Sequence, residues 1–410
     1  MIGPKIDTQY LMKILSHLLA IPSPTGYTDQ IVHAVSDELN QLGIPFELTR
    51  RGAIRATMKG KVRTPARAVV AHLDTLGALV KWLKSNGRLA LVPIGTWSSR
   101  FAEGARVTIF TDTGMHRGTI LPLKASGHTY GDEIDTQPVS WKNLEVRLDE
   151  MVMDDKEFPQ PLSTEAHLKA LGIHIGDFIA IDPTTEISPN GFINSRHLDD
   201  KAGVATILAA AKAIIETSQT LPMDCHLLFT ISEEVGSGAS AILHGDVTEM
   251  VTIDNGTPAP FQASSEFGAT IAIADSAGPF DYHLVRRLIA LCVDHGIPFQ
   301  RDIFCDYKSD SASAVEAGND IRTALLTFGV DSSHGYERTH VNGLEAIAKL
   351  LTAYMQNEPV FWRDRDPLGS AKDFPTQPIE EGSFPHTFEE LVQQHGEHHH
   401  DPGRSDTENT

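Results

Sequence analysis

Ala66-Arg67-Ala68-Val69-Val70-Ala71-His72-Leu73-Asp74 reads as a buried strand that ends in groups able to bind a metal. Residues 68–71 are continuously apolar rather than alternating, which is the pattern of a strand covered on both faces. His72 and Asp74 follow that run directly. In open α/β sheets, ligands collect at the carboxyl ends of strands, so charged groups at this point are placed where chemistry happens.

Outward from this strand the chain alternates helical and extended patterns. Upstream, residues 7–19 and 29–42 have helical apolar spacing; the first stops before Pro22 and Pro24, the second at Gly43. Residues 46–49 and 53–58 are short β-rich runs. Downstream, the alternation resumes after Ser195, with helices predicted over 201–217, 281–295 and 341–355. Strands are predicted over 225–231, 250–253, 269–273, 299–304 and 323–328. The spacing predicts a three-layer α/β/α domain around a parallel or mixed sheet, built from residues 1–78 and 191–360.

Between these halves the texture changes. Over residues 79–190 helical periodicity is weak, and short β-prone pieces (89–94, 105–110, 118–121, 144–148, 178–181) alternate with Gly and Pro. This reads as an inserted small β domain, barrel-like in character. Residues 364–410 are rich in Pro, Gly, Ser, Asp and Glu and read as an acidic disordered tail. A short helix is predicted within it at 387–394, where Thr387 and Glu390 have capping-box spacing. His386, His395, His398, His399 and His400 also fall there, a polar terminus with adventitious metal affinity.

The chain has 410 residues, of which 41% are hydrophobic and 21% charged, as in an ordinary folded enzyme. Its formal charge is −20; residues 364–410 carry eleven acids and three bases, hence −8, which leaves −12 for the body. Phosphate contacts need Lys and Arg, so the balance argues against nucleic acid and against anionic membranes. No apolar run is long enough to span a bilayer, and no secretory signal is visible at the start. Three widely spaced cysteines (Cys225, Cys292, Cys305) argue for inert thiols and a cytoplasmic location.

Acidic and histidine residues recur at the strand ends: His72 and Asp74, Glu233 and Glu234, Asp254, and His334 after Gly329. Asp199 and Asp200 open the helix at Lys201. Each has a structural explanation alone, a helix cap for the aspartate pair or a turn for Asp254. Together they are costly to bury without compensation, and a pair of divalent cations would provide it.

The set Ala71-His72-Leu73-Asp74, Leu198-Asp199-Asp200-Lys201, Glu233-Glu234-Val235-Gly236, Asp254 and Ser333-His334 resembles family 42 of the metallopeptidases. These are the tetrahedral and glutamyl aminopeptidases of the dinuclear zinc exopeptidase clan. Ile21-Pro22-Ser23-Pro24-Thr25-Gly26-Tyr27 and Lys308-Ser309-Asp310-Ser311-Ala312 add to the likeness, which runs from Tyr10 to Met355. It implies that His72 and Asp254 complete one metal site and Glu234 and His334 a second, with Asp199 bridging both. It further implies a cis peptide between Asp199 and Asp200, Asp74 orienting His72, and Glu233 as general base toward a water between the ions. Zinc leads the metals such ligands suit, with cobalt and manganese possible.

The implied activity is release of N-terminal residues from short peptides, by a homo-oligomer between a dimer and a twelve-subunit shell, with residues 79–190 as the assembly domain. The same ligands could serve an amidohydrolase or deacylase acting on acylated amino acids. A catalytically inactive scaffold would have no reason to keep this charge set. Adjacent Glu233 and Glu234 also suit a hydrolytic water better than a glycosidase pair across a sugar. The pattern most resembles a subgroup tied to an N-acetylglutaminylglutamine amide osmoprotectant, which implies as an alternative substrate a small glutamine-containing peptide or amide. Lys201, Ser309-Asp310-Ser311 and Gly335-Tyr336 depart from the family's usual wording in loops flanking the substrate pocket. His116 and His128, in the insert, read as surface groups.

Overall fold

The computed structural model describes residues 5–154 and 156–378. A nine-stranded mixed sheet forms the main body, and its order runs Phe46–Leu48, Ile54–Met58, Leu221–Thr230, Gly60–His72, Val247–Gly256, Arg322–Gly329, Ala269–Asp275, Gly278–Pro279. Phe299–Ile303 pairs in parallel with Ala269–Asp275 off this path. Four neighbouring central strands, from Leu221–Thr230 to Arg322–Gly329, are all parallel. Their carboxyl ends therefore lie at one edge, with Thr230 opposite His72 and Asp254 opposite Thr327.

Every residue of Leu221–Thr230 is buried, so both faces of the sheet are covered. Helices Leu198–Thr217, Val341–Met355 and Thr8–Leu19 pack on one another, and Leu198–Thr217 also packs on Gly60–His72. Asp29–Gln41 packs on Ile54–Met58. The helix ends follow sequence chemistry: Asp7 and Asp281 accept the backbone N–H of Tyr10 and Leu284 as N-caps, as carboxylates at those positions should. The one large apolar core runs from Leu11 through Val69, Leu227 and Leu326 to Leu351.

A second core lies inside a closed barrel of Phe178–Ile181, Gly77–Leu83, Leu89–Ile94, Leu144–Leu148, Gly114–Pro122 and Arg106–Thr111. Val107, Ile109, Ile120, Val146 and Ile179 fill it. The fold expected from sequence, a three-layer α/β arrangement with a mixed sheet and a barrel-like β unit, is the one found.

Two differences from the expected elements have physical causes. Gly60–His72 starts six residues before the predicted strand at 66, running through Pro65, which reads as a breaker because it lacks an N–H. The register shifts at that point, between Met223 and Cys225 of the neighbouring strand, so the missing donor falls where pairing is already interrupted. The helix Asp310–Glu316 was not expected; its seven residues are too few to show periodicity, although Ser309 caps it. Asp364, the first residue of the expected tail, pairs with Arg322 at 2.6 Å. The helix predicted at 387–394 and the tail histidines lie outside the described residues. A separate unit begins at Leu368, in which Ala371–Asp373 forms a 3-10 turn. Among the described residues no helix is long and apolar enough to cross a membrane.

Candidate metal centre

The parallel strands converge on one patch of side chains. Gly60–His72 ends in His72, with Asp74 in the turn after it; Leu221–Thr230 leads to Glu233 and Glu234. Val247–Gly256 carries Asp254 near its end, and Arg322–Gly329 runs into the loop holding His334. Asp199 and Asp200 come from the start of Leu198–Thr217, where their peptide bond is cis and Asp199 has a non-helical ψ of 106°.

All five expected ligands come together. His72, Asp199 and Asp254 offer ligand atoms within 4.8 Å of one another, and so do Asp199, Glu234 and His334. Asp199 is common to both groups: its Oδ1 lies 3.0 Å from His72 Nε2 and its Oδ2 3.4 Å from His334 Nε2. Glu234 Oε2 stands 3.8 Å from His334 Nε2. Glu233 belongs to neither group, its Oε2 standing 3.8 Å from His72 Nε2.

The two imidazoles are oriented by carbonyls. His72 Nδ1 lies 2.9 Å from the Asp74 backbone oxygen, and His334 Nδ1 lies 2.9 Å from the Thr96 backbone oxygen. A carbonyl can only accept, so Nδ1 carries the proton in both rings, and a neutral ring turns the lone pair of Nε2 toward the cluster. Those lone pairs face carboxylate oxygens, an arrangement that needs a proton or a cation between them.

The electrostatics point the same way. Burial pushes the carboxyls of Asp200, Glu233 and Glu234 well above the usual carboxylate range, and neighbouring acids add to it. Burial and Asp199 raise Asp254 and Glu337 to about 8. Asp199 differs: burial raises it, but hydrogen bonds with His334 and His72 outweigh that and hold it low. Burial opposes charging of the two rings, yet Asp199 and the nearby glutamates raise His72 well above its ordinary value and His334 to about 10. Lys201 is not the missing counter-charge: its Nζ donates to the Ile21 carbonyl at 2.6 Å, and burial lowers its pKa to about 7. One oxygen of Asp200, Oδ1, is buried without a partner. Buried acids short of positive charge, two aimed imidazole lone pairs and a donor set without cysteine together fit divalent cations.

Other side chains hold the arrangement. The family resemblance implies that Asp74 orients His72, a contact that i and i+2 spacing on a strand allows. The strand stops at His72, and the Asp74 carboxylate accepts from the N–H groups of Glu233 (3.1 Å) and Glu234 (3.3 Å) and from the Thr25 hydroxyl (2.7 Å). Its distance from His72 Nδ1 is 3.6 Å. Glu337 and Asn255 were not singled out in the sequence, and Asp310 entered only as part of a motif. Glu337, fully buried, accepts the backbone N–H of His334 (3.0 Å) and of Asp199 (3.2 Å). Asn255 donates to Asp199 Oδ2 at 2.6 Å and to Asp254 Oδ1 at 3.2 Å. Asp310 ties the Thr230 hydroxyl to the Ala239 N–H, both at 2.7 Å, and a Cβ on Gly238 would lie only 1.8 Å from its Oδ1. The available signals were adjacency for Asn255 and the three-residue spacing of Glu337 from His334.

A cavity of about 600 Å³ opens over the cluster, lined by Asp199, Glu233, Glu234, Asp254 and His334 from the site and by Tyr307 and Lys308 among others. His116 and His128 do not line it; His116 faces Glu150 at 2.8 Å, and His128 is exposed.

Residues 52–350 match the family model described as M42 glutamyl aminopeptidase. The chain is 36% identical over 350 residues to YhfE of Bacillus subtilis (strain 168), a match covering 85% of this chain and 98% of that protein. Among solved structures, a TET aminopeptidase from the marine sediment archaeon Thaumarchaeota archaeon SCGC AB-539-E09 gives a TM-score of 0.77 at 18% identity, covering 87% of this chain and 98% of that one. The Pyrococcus horikoshii TET1 peptidase, described as able to assemble into a tetrahedron or a large octahedral shell, gives 0.73 at 21% identity and covers 84% and 99%. At those identities the two structures speak for the fold.

Proposed function

The chain belongs to the M42 glutamyl aminopeptidase family, and from that premise we propose a metal-dependent aminopeptidase that releases N-terminal residues from short peptides. One observation carries the reading: Asp199 takes part in two three-residue ligand groups, as a carboxylate bridging two ions would. His72, Asp199 and Asp254 would hold one divalent ion, and Asp199, Glu234 and His334 the other. Zinc is the first choice for nitrogen and oxygen donors, with cobalt and manganese next. Ions bound there would polarise the scissile carbonyl and acidify the attacking water.

The chain's own residues then divide the work. Glu233 stays outside both ligand groups while lining the cavity, so its carboxylate is available as general base. It would take the proton from the attacking water and return it to the departing amine. Burial raises its affinity for that proton. Asp74 acts as a positioning residue, since its carboxylate holds the backbone at Glu233 and Glu234 while its carbonyl orients His72. The acidic floor would also attract the free ammonium of a peptide's N-terminus.

Finer parts of the reading follow. The chain would form a homo-oligomer, a view supported by the shells described for TET1, with residues 79–190 serving assembly in the cytoplasm as further parts of the proposal. A small glutamine-containing amide of the osmoprotectant type is the alternative substrate; absence of turnover of that compound and its unblocked dipeptide would end that part.

The test measures metal content and hydrolysis together, on wild type and Glu233→Gln, with free-amine and acylated substrates. The expected result is about two metals per chain, with a rate loss of about 10²–10⁴-fold in the variant while metal is retained. Turnover of acylated substrates alone would move the protein to the amidohydrolase or deacylase class. Absence of bound metal, with no recovery on adding zinc, cobalt or manganese, would overturn the proposal.

A further inference from the structure

The strand Val247–Gly256 pairs with Gly60–His72 only as far as Thr252, so its last residues face that neighbour without a ladder partner. Backbone groups buried at such an edge must bond elsewhere. At Asn255 they do so locally. Its N–H donates to Asp254 Oδ1 at 2.6 Å, and its carbonyl accepts the Tyr307 hydroxyl at 2.7 Å. Tyr307 is itself held, its ring centroid 4.9 Å from that of Phe304 and Ser309 capping the helix that follows.

Fixed in this way, the buried Asn255 side chain reaches carboxylates of both proposed ligand groups. A carboxylate accepts, so the NH₂ of the amide faces it. Nδ2 donates to Asp199 Oδ2 at 2.6 Å and to Asp254 Oδ1 at 3.2 Å, which spends both amide protons. The two oxygens of Asp199 are consequently unlike. Oδ1 lies toward His72 and Oδ2 toward His334, and Asn255 grips only the second.

We propose that Asn255, steadied by Tyr307, is the positioning residue that holds Asp199 across the two metal positions, one oxygen to each. The inference rests on the two-metal reading and says what keeps the bridge in place. A carboxylate turns readily about its last torsion and can put both oxygens on one ion; a donor fixed on one oxygen opposes that turn. The two positions depend on it unequally. In the first, His72 is oriented by the Asp74 carbonyl, and Asp254 keeps the Asn255 backbone N–H whatever the side chain. In the second, the oxygen that Asp199 contributes is the one the amide grips. Removing the amide therefore strikes the second position first.

The experiment titrates metal-stripped protein with Mn²⁺, followed by calorimetry and by electron paramagnetic resonance, for wild type, Asn255→Leu and Tyr307→Phe. Two ions joined by one carboxylate couple magnetically, so the resonance reads the bridge without turnover. Wild type should take up two ions, one for each ligand group, and give the coupled spectrum. Asn255→Leu should bind the second ion about 10- to 100-fold more weakly, keep the first within about threefold, and lose the coupled spectrum at metal levels that saturate wild type. Tyr307→Phe, which frees the Asn255 carbonyl but keeps the ring, should weaken the second ion by about 2- to 10-fold. Unfolding of the metal-free proteins checks that each variant is folded. Equal losses at both positions would mark Asn255 as a general support, and an unchanged second affinity would mark it as idle; either overturns the proposal. Should Asn255→Leu fail to fold, Tyr307→Phe decides alone, and a second affinity and coupled spectrum equal to wild type overturn it. Wild type that binds fewer than two ions sinks the two-metal reading and this inference with it, whereas the variant outcomes leave that reading standing.

Discussion

Glu337→Gln replaces one carboxylate oxygen with an NH₂ group where water cannot reach. In the native arrangement Oε1 accepts the N–H of His334 at 3.0 Å and Oε2 that of Asp199 at 3.2 Å. A glutamine can satisfy only one of these; its amide nitrogen then meets the other donor head-on. Above about pH 8, where the raised Glu337 carboxyl is ionised, one hydrogen bond to a charged group is lost, worth about 1.5–3 kcal/mol. Both backbone groups belong to proposed metal ligands, so the loss should appear in metal affinity. At 1.4 kcal/mol per tenfold, it corresponds to about 10- to 150-fold weaker binding, overlapping the range usual for contacts that support ligands. Competition with a chelator of known affinity, at fixed pH and on wild type and variant in parallel, reads this directly. Unfolding in excess metal checks that the variant is folded. An affinity within threefold of wild type would show that Glu337 does not position the ligands.

Two further predictions concern parts of the sheet away from the cluster. Arg67 is fully buried, 2.8 Å from Glu249 and stacked on Tyr354, about 16 Å up the strand from His72 at the usual rise per residue. Arg67→Met would leave the Glu249 charge buried and should cost about 3–5 kcal/mol in unfolding experiments while metal content at saturation is unchanged; a loss under about 1 kcal/mol would contradict it. His226 is packed among Arg55, Asp246 and Thr57, and burial first, then the Arg55 charge, lowers its pKa below 6.5. The unfolded chain therefore takes up this proton before the folded one, and stability is lost as pH falls below about 6.5. Unfolding midpoints of His226→Gln should fall less steeply than wild type between about pH 7 and 5; equal slopes would reject the assignment.

What the sequence disclosed depended on distance along the chain. Continuous apolar runs revealed the central strands, and a His or acidic residue at or soon after the end of each run marked the candidate site's edge, because both signals are local. The helix Val341–Met355 was found to the residue, and the helices predicted to start at Asp7 and Asp281 begin one residue later, with those two aspartates as their N-caps. Glu337 was missed because its partner Asp199 lies 138 residues away, and its three-residue spacing from His334 is by itself a weak signal. Asp310 was quoted only for its likeness to a motif; that it pins the turn after Glu234 emerges when the Thr230 strand and the Ser309-capped helix meet. The strand start was placed late because Pro65 lies in a bulge of its own strand, between Val62 and Arg67, where pairing with Leu221–Thr230 is interrupted and a missing N–H does no harm.

The carbonyl that orients His334 belongs to Thr96, in the turn after the barrel strand Leu89–Ile94. The barrel is thus joined to the catalytic edge by a proton as well as by the chain. Thermodynamic reciprocity follows: if metal loading at His334 stiffens that turn, anything that stiffens the turn favours loading. A molecule gripping the barrel could therefore tune the enzyme without entering its cavity. Excising the barrel to make a minimal enzyme would remove the acceptor that selects the His334 tautomer, and the shortened chain would have to choose its imidazole nitrogen unaided.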